Sequence, residues 1–454
     1  MCPAENYLLG FPLMPVALSR LKEVVLELRG SPLPERPRLP AAAISRGRVS
    51  GSAAFLVGGL LAFLWANTTH APSYFLLRDM PMLLSAGGAR LLFNLRSIVN
   101  EGLMTLFFFS IGLAARRQFS ALTNGDTEGA RVPCLAAAGA LAVPALIMLF
   151  IPGVPALRAA LALGGLDLGL AIAVFAVGGA APASGRHPLF IFSVALDAGW
   201  VLALAIAGAH GVSLSAMLVC AVLFAAAWAA RWVGARGAAW GILSGAVLWL
   251  AWRRTGLPPA LCGALLAALV PGACAADERQ ATKLAEDAID DYDLAMDDAD
   301  ADRCSALAQR LGDIAVSAEA PIDRWQSGVL TWLTWLVLPL FGWVNGGVAL
   351  AGLALRGPAA WVALAFLVGR PLGIYLLGWV ARRRALGQGS DSPGGLAVLS
   401  AVSGAGGVPA VMGALVLFSS GPAADPYIFW LTALSLVCAL AGGIVISTLG
   451  DNVF

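Results

Sequence analysis

Apolar runs of about twenty residues recur along the whole 454-residue chain, and they restrict its fold more than any other feature. An α-helix needs a run of about that length to cross the hydrocarbon core of a bilayer. Charged residues make up only 12% of the chain, whereas soluble proteins contain about 25%. Because lipid offers the backbone no hydrogen-bond partners, a spanning segment must satisfy its backbone N–H and C=O groups within the protein. We therefore expect an all-α, polytopic membrane protein embedded in the lipid bilayer.

The apolar windows predict about 12 transmembrane helices, of which the eighth is short enough to lie partly in the interface. They lie near 51–67, 98–115, 133–151, 159–179, 189–209, 212–230, 237–252, 257–271, 327–352, 358–381, 395–419 and 426–448. The predicted organisation has four parts: a cytoplasmic N-terminal segment (1–50), spans 1–8 (51–271), an acidic cytoplasmic insert (272–325) and spans 9–12 (326–454).

The positive charges support this count, because they are concentrated on alternate sides of the windows. Of the 29 Lys and Arg residues, 21 flank one side, 7 flank the other and Arg370 lies inside a window. Lys and Arg are in excess on the cytoplasmic face of membrane proteins, so we expect both termini in the cytoplasm. The net charge of +2 gives no basic surface for nucleic acid. The seven cysteines have no paired spacing, so neither a metal site nor a disulfide framework is expected from them. No cofactor is expected.

Two loops carry features of their own. Residues 68–97 contain two short apolar runs around Ala-Gly-Gly, a pattern that favours a β-hairpin and a candidate homodimer contact, with an unstructured loop as the alternative. The acidic insert places three aspartates at the first ligand positions of an EF-hand, but Arg303 stands where glycine is needed and Gln309 where glutamate is needed. The aspartates are Asp298, Asp300 and Asp302. The plainer interpretation is a solvated acidic insert that is partly helical or disordered.

Four charged residues fall inside the predicted spans: Glu101, Asp167, Asp197 and Arg370. The last three lie near the middle of their windows, and charged groups at that depth usually mark an ion or proton path. A structural ion pair is the alternative for Arg370. Two carboxylates and one guanidinium leave one negative charge, which must take up a proton or bind a cation. Competition between H⁺ and a metal cation for one site is the physical basis of exchange.

Glycines interrupt two windows at matching places in the two halves of the chain. Span 4 carries Gly165 beside Asp167, and span 11 carries Gly404, Gly406 and Gly407. Unwound backbone at this depth is tolerated only where it lines a cavity. The pattern favours an inverted-repeat transporter with half-helix ends facing the ion, although small residues also serve close helix packing.

Four stretches of the chain resemble the NhaA-type sodium/proton antiporters. They are "FLWANTTHAP" at the end of span 1, "VNEGLMTLFFFSIGLAARRQF" in span 2, "LPLFGWVNGGVAL" in span 9 and "VGRPLGIYLLGWVA" in span 10. The similarity runs from about residue 50 to about residue 450. It implies an inverted-repeat fold with two unwound crossing helices, spans 4 and 11. It also implies exchange of Na⁺ or Li⁺ for H⁺ across a bacterial inner membrane.

The resemblance implies roles for individual residues. Asp167 matches the carboxylate of the unwound fourth span, although Leu166 replaces the hydroxyl residue that usually precedes it. Arg370 stands where the family has a lysine, so it compensates charge but cannot release a proton. Glu101 matches the acidic residue that opens span 2, an accessory position where a carboxylate also complements the helix dipole.

The largest departure from the family is in span 5, where the family has two adjacent aspartates followed by Leu-Gly. Matching Gly199 places Asp197 at the ion-binding aspartate and Leu196 at the other, whereas a shift by one residue would make Ala198 the missing ligand. With one carboxylate fewer and a permanent cation in span 10, we expect one-for-one, electroneutral exchange. In it Asp197 and Asp167 bind the transported Na⁺ and carry the proton.

Three other functions fit parts of the sequence. A carrier on the same scaffold could move an organic solute with Na⁺ as the coupled ion. A degenerate homologue without exchange activity would explain the lost aspartate. An intramembrane aspartyl protease also needs two membrane carboxylates, but its Gly-x-Gly-Asp signature is missing, because Gly165-Leu166 precedes Asp167. We therefore expect a transporter rather than an enzyme.

Overall fold

The computed structural model is mostly α-helical within the residues it describes. These are 41–86, 89–123, 130–150, 165, 186–209, 211–232, 238–270, 278–297, 301–318, 321–350, 358–384, 400, 407–417 and 424–449. The chain divides into two compact units, Met1–Ala43 with Ala273–Ala320 and Ile44–Gly272 with Pro321–Phe454.

The larger unit contains the predicted spans. Helix is present in eleven of the predicted windows, and of the fourth window the structure describes only Gly165. Its helices are α1 (Ala41–Ala66), α2 (Ala71–Asp79), α3 (Leu95–Ser97), α4 (Met104–Thr123), α5 (Arg131–Met148), α6 (Arg186–Ala207), α7 (Leu214–Trp232), α8 (Ala238–Trp252) and α9 (Cys262–Leu266). The smaller unit contributes α10 (Glu278–Asp297) and α11 (Ala301–Ala318), after which the larger unit continues with α12 (Pro321–Trp332), α13 (Leu338–Gly346), α14 (Pro358–Arg384), α15 (Gly407–Leu417) and α16 (Asp425–Leu449).

Most of these helices are apolar enough for lipid. Within the described ranges, five are long enough to cross a membrane and six more are shorter apolar helices. The eighth window is short, as expected: α9 has only five residues and is flanked by 3₁₀ turns at Pro259–Leu261 and Ala267–Leu269. An all-α membrane protein is therefore the class of fold observed.

Two π-helical turns interrupt the helices at Ile98–Leu103 and Leu333–Val337. Asn100, in the first turn, exchanges two amide hydrogen bonds of 3.0 and 2.8 Å with Asn345 of α13. Both side chains are buried, and each amide satisfies the other, so this pair ties span 2 to span 9 without leaving a polar group unpaired.

The loop between spans 1 and 2 contains the predicted β-hairpin. Strands β1 (Met82–Ala86) and β2 (Ala89–Phe93) are antiparallel, with Met82 opposite Phe93. The hairpin is thus confirmed, and its role as a dimer contact stays a prediction.

Helix α2 was not predicted. It is anchored by Tyr74, whose hydroxyl donates to the Trp343 carbonyl at 2.8 Å, and burial raises the pKa of Tyr74 so that it stays a donor.

The acidic insert is a helical pair where the structure describes it. Helices α10 and α11 pack against each other, and their buried residues are apolar: Ala288, Ala295, Leu307 and Leu311. Of the three EF-hand aspartates, only Asp302 lies in the described part, at the start of α11. No group of three or more metal-ligating side chains occurs among the described residues.

Candidate functional site

Arg370 lies in the middle of α14, and its side chain is only 1% exposed. Its Nη2 donates a 2.6 Å hydrogen bond to the carbonyl oxygen of Gly165. Its guanidinium carbon lies 4.6 Å from the ring centroid of Phe366, one turn earlier in the same helix. A buried charge needs hydrogen bonds and opposite charge to offset the loss of water. One of these hydrogen bonds is supplied by the backbone of span 4.

Close packing of two helices fixes the position of Arg370. A Cβ on Gly373 of α14 would lie 2.0 Å from the carbonyl oxygen of Gly139 in α5, and a Cβ on Gly139 would lie 2.1 Å from that of Gly373. One turn away, a Cβ on Gly369 would lie 2.9 Å from the Cα of Pro144. Only glycine allows the two backbones to approach this closely. Spans 3 and 10 therefore form a tight pair that holds the arginine between its glycines.

Gly165 is the described residue of span 4, and it is buried and not helical. A Cβ at this position would lie 2.3 Å from the Cβ of Pro409 in α15 and 2.9 Å from Cδ2 of Trp200 in α6. Together with the bond from Arg370, these contacts join spans 4, 5, 10 and 11 at one point. Glycine is required there because any side chain would collide with two neighbours.

Asp197 lies in the middle of α6 and is 7% exposed. Its charge interacts with that of Arg370. Three residues further along α6, the Trp200 ring stacks on Phe108 of α4, with the ring centroids 5.5 Å apart and the planes 20° from parallel. The carboxylate is therefore buried and interacts electrostatically with a buried guanidinium.

The described helix of span 11 begins at Gly407, in the middle of the predicted window. Gly407 has φ of +40°, a conformation that L side chains rarely adopt. Its backbone N–H donates to the hydroxyl of Ser435 in α16 at 3.3 Å. The remaining predicted site residues, Asp167, Gly404 and Gly406, lie outside the described residues.

Glu101 has different partners from those of the other predicted residues. It lies in the first π-helical turn, where its carboxylate pairs with Arg253 at 3.3 Å and its backbone carbonyl accepts from the Trp249 indole at 3.0 Å. It precedes Phe108 by seven residues, or about two helical turns. These two contacts join Glu101, at the start of span 2, to the last turn of span 7 and to Arg253 just after it.

Two residues near Asp197 were not predicted from the sequence. Ser193 precedes it by one helical turn and is 1% exposed, and Trp200 follows it. The spacing i, i+4, i+7 places all three on one face of α6. This helical spacing is the sequence signal that could have identified Ser193 and Trp200, because neither residue carries a charge as Asp197 does. A third residue, Cys438 of α16, interacts electrostatically with Arg370, and no sequence pattern indicated it.

The chemistry of this arrangement follows from its charges. A carboxylate at helix mid-depth can be neutralised by a proton or by a small cation, and Arg370 is already bonded to a backbone carbonyl. Oxygen atoms from carboxylates, carbonyls and hydroxyls are the ligands that hard cations prefer. The site therefore suits reversible binding of a proton or a hard monovalent cation.

Similar proteins identify the family of the chain. The family model described as Na⁺/H⁺ antiporter 1 matches residues 42–443. A protein of Acidovorax sp. (strain JS42) named Na(+)/H(+) antiporter NhaA is 30% identical over 410 residues, which cover 87% of this chain and 88% of that protein. A protein of the same name from Anaeromyxobacter sp. (strain Fw109-5) is 29% identical over 92% of this chain and 95% of its own length. The one from Cupriavidus necator is 30% identical over 74% and 73%. The chain therefore belongs to the Na⁺/H⁺ antiporter family.

Proposed function

We propose that this protein is a cation/proton antiporter that exchanges Na⁺ or Li⁺ for H⁺ by alternating access. In this mechanism the cation and the proton compete for a site built on Asp197 and Asp167. The observation that carries the proposal is the burial of Asp197 beside Arg370, at the point where four spans meet around Gly165. A carboxylate held there is stable only when a positive species accompanies it.

The proposed exchange is one H⁺ for one Na⁺ and is therefore electroneutral. Arg370 keeps its charge throughout the cycle, because a guanidinium does not release its proton in a protein. Leu196, whose side chain is fully buried, stands where a second carboxylate would have supplied a second titrating group. Asp197, Asp167 and Arg370 together then carry one net negative charge, which a proton and a cation neutralise alternately.

The packing of the helices supports the proposed architecture of twelve spans and an inverted repeat. Helix α5 packs against α6, and α14 packs against α16, while α5 and α14 pack against each other through their glycines. This pattern is what two three-span units, spans 3–5 and 10–12, would give if one were inverted relative to the other. We further propose a bacterial inner membrane location with both termini in the cytoplasm, from the distribution of Lys and Arg.

One observation favours a second candidate, a degenerate homologue without exchange activity. The side chain of Leu196 is apolar and fully buried beside Asp197, so part of the charged constellation expected of an exchanger is replaced by hydrocarbon. This candidate predicts that the chain folds and inserts but produces no cation-dependent proton movement.

Proton flux in membrane vesicles that contain the full-length chain distinguishes the two candidates. Adding Na⁺ or Li⁺ to acidified vesicles should release protons, as followed with a pH-sensitive dye. Asp197→Asn should abolish the release, because an amide can neither ionise nor bind the cation tightly. Asp287→Asn, on the exposed face of α10, is the matched control and should leave it intact. Absence of flux in the wild-type protein, or flux that persists in Asp197→Asn, would contradict the proposal.

A further inference from the structure

The hydroxyl of Ser193 is a buried polar group that the described contacts leave unexplained. The residue is 1% exposed, and its Oγ has no hydrogen-bond partner in the part of the chain that the structure describes. A buried hydroxyl without a partner is costly. Such a group is expected to have a ligand of its own.

Other helical serines of this protein avoid that cost by bonding to their own helix, as serine usually does. Ser435 donates to the carbonyl of Leu431 at 2.7 Å, and Ser110 donates to that of Phe107 at 2.8 Å. Ser193 makes no such bond. Its hydroxyl is thus available for a partner outside its own helical turn.

The position of Ser193 relative to Asp197 indicates what that partner is. Residues four apart on a helix lie side by side, with about 5–6 Å between their Cβ atoms. A cation held by the Asp197 carboxylate would therefore be within reach of a hydroxyl one turn away. The hydroxyl oxygen has two lone pairs for such an ion, and oxygen is the atom that hard cations prefer.

We propose that the Ser193 hydroxyl is a ligand of the transported cation and contributes to the choice between Na⁺ and Li⁺. This inference rests on the proposed antiport and adds a ligand to its site. When Asp197 is ionised and a cation is bound, Oγ offers a lone pair to the ion. When Asp197 is protonated, the same oxygen accepts no cation. Ser193 therefore strengthens cation binding without strengthening proton binding to the same degree.

The test compares Ser193→Ala, Ser193→Cys and Ser193→Thr with the wild-type chain in proteoliposomes. Alanine and cysteine remove the oxygen, and cysteine nearly keeps the volume while offering a soft sulfur. Both should raise the apparent KM for Na⁺ by about tenfold and change the ratio of the Na⁺ and Li⁺ values, while the maximal rate changes little. Threonine keeps the hydroxyl and should restore the KM. Ser110→Ala is the control, because that serine bonds only to its own helix among the described contacts.

The outcomes separate this inference from the proposed function. If Ser193→Ala and Ser193→Cys keep the wild-type KM for both ions while Asp197→Asn abolishes exchange, the serine is not a ligand and the antiport stands. If binding of radioactive Na⁺ to the purified wild-type protein is undetectable or does not depend on Asp197, the site itself is wrong and the inference falls with it. A thermal melt in detergent identifies any variant that fails to fold, and the cysteine variant then replaces the alanine one in the comparison.

Discussion

Arg370 of span 10 donates a 2.6 Å hydrogen bond to the backbone carbonyl of Gly165 in span 4. Gly165 is not part of a helix, so the permanent positive charge of Arg370 is bonded to a carbonyl outside any helix. The arginine therefore has two interactions: its charge interacts with that of Asp197, and it binds a carbonyl that lipid could not satisfy. Any movement of span 4 against span 10 during transport must either keep this bond or replace it.

Replacing Arg370 by glutamine should destabilise the protein by about 3 kcal/mol, because it leaves Asp197 without its neighbouring positive charge. The amide also reaches the Gly165 carbonyl less well than the longer guanidinium does. Arg370→Lys keeps the positive charge, so its loss of stability should be smaller. The measurement is the thermal unfolding of both variants in detergent. Equal melting temperatures for glutamine and wild type would show that the charge is not structural.

The competition between Na⁺ and H⁺ gives the expected pH dependence its sign. As the pH falls, a larger fraction of Asp197 is protonated and fewer sites accept Na⁺. The apparent KM for Na⁺ should therefore rise by about tenfold for each pH unit below the pKa of the site, while the maximal rate stays constant. Initial rates over a range of Na⁺ concentrations and pH values test this. A maximal rate that falls with pH at constant KM would contradict direct competition.

Electroneutral exchange predicts that the membrane potential has no effect on the rate. Because one charge enters for each charge that leaves, the potential does no net work on the cycle. Rates measured in proteoliposomes whose potential is set by K⁺ and valinomycin should coincide at zero and at negative potential. A rate that changes severalfold with the potential would show that more than one proton moves per Na⁺.

Gly165→Ala should impair both folding and exchange, since the added Cβ would lie 2.3 Å from the Cβ of Pro409. Overpacking of this kind costs about 2 kcal/mol, and relief would require spans 4 and 11 to separate. Gly328→Ala in α12 is the matched control, because a Cβ there has no heavy atom within 4 Å and alanine favours the helix. Thermal unfolding and proton flux of both variants test the difference. Wild-type behaviour of Gly165→Ala would show that the packing is loose.

The sequence predicts the helices of this protein well and their contacts poorly. Apolar windows locate the described apolar helices because the bilayer demands a fixed length of helix, and the two short apolar runs on either side of Ala-Gly-Gly locate the strands of the hairpin. The partners of charged residues are set by packing between spans far apart in the chain. The bond from Arg370 to Gly165 has no pattern in the sequence, and the pair of Glu101 with Arg253 joins segments that only the fold brings together.

The hairpin provides the last prediction, that two copies of the chain associate through it. Leu83 and Leu92 lie opposite each other in the hairpin and are 59% and 69% exposed. Exposed apolar strand residues favour pairing with another copy. Changing both leucines to lysine should therefore convert the dimer to a monomer through charge repulsion, as measured by light scattering of the detergent-solubilised protein. Met80→Lys, at an exposed position between α2 and β1, is the control and should leave the dimer intact. A dimer that survives both leucine substitutions would place the contact on another surface.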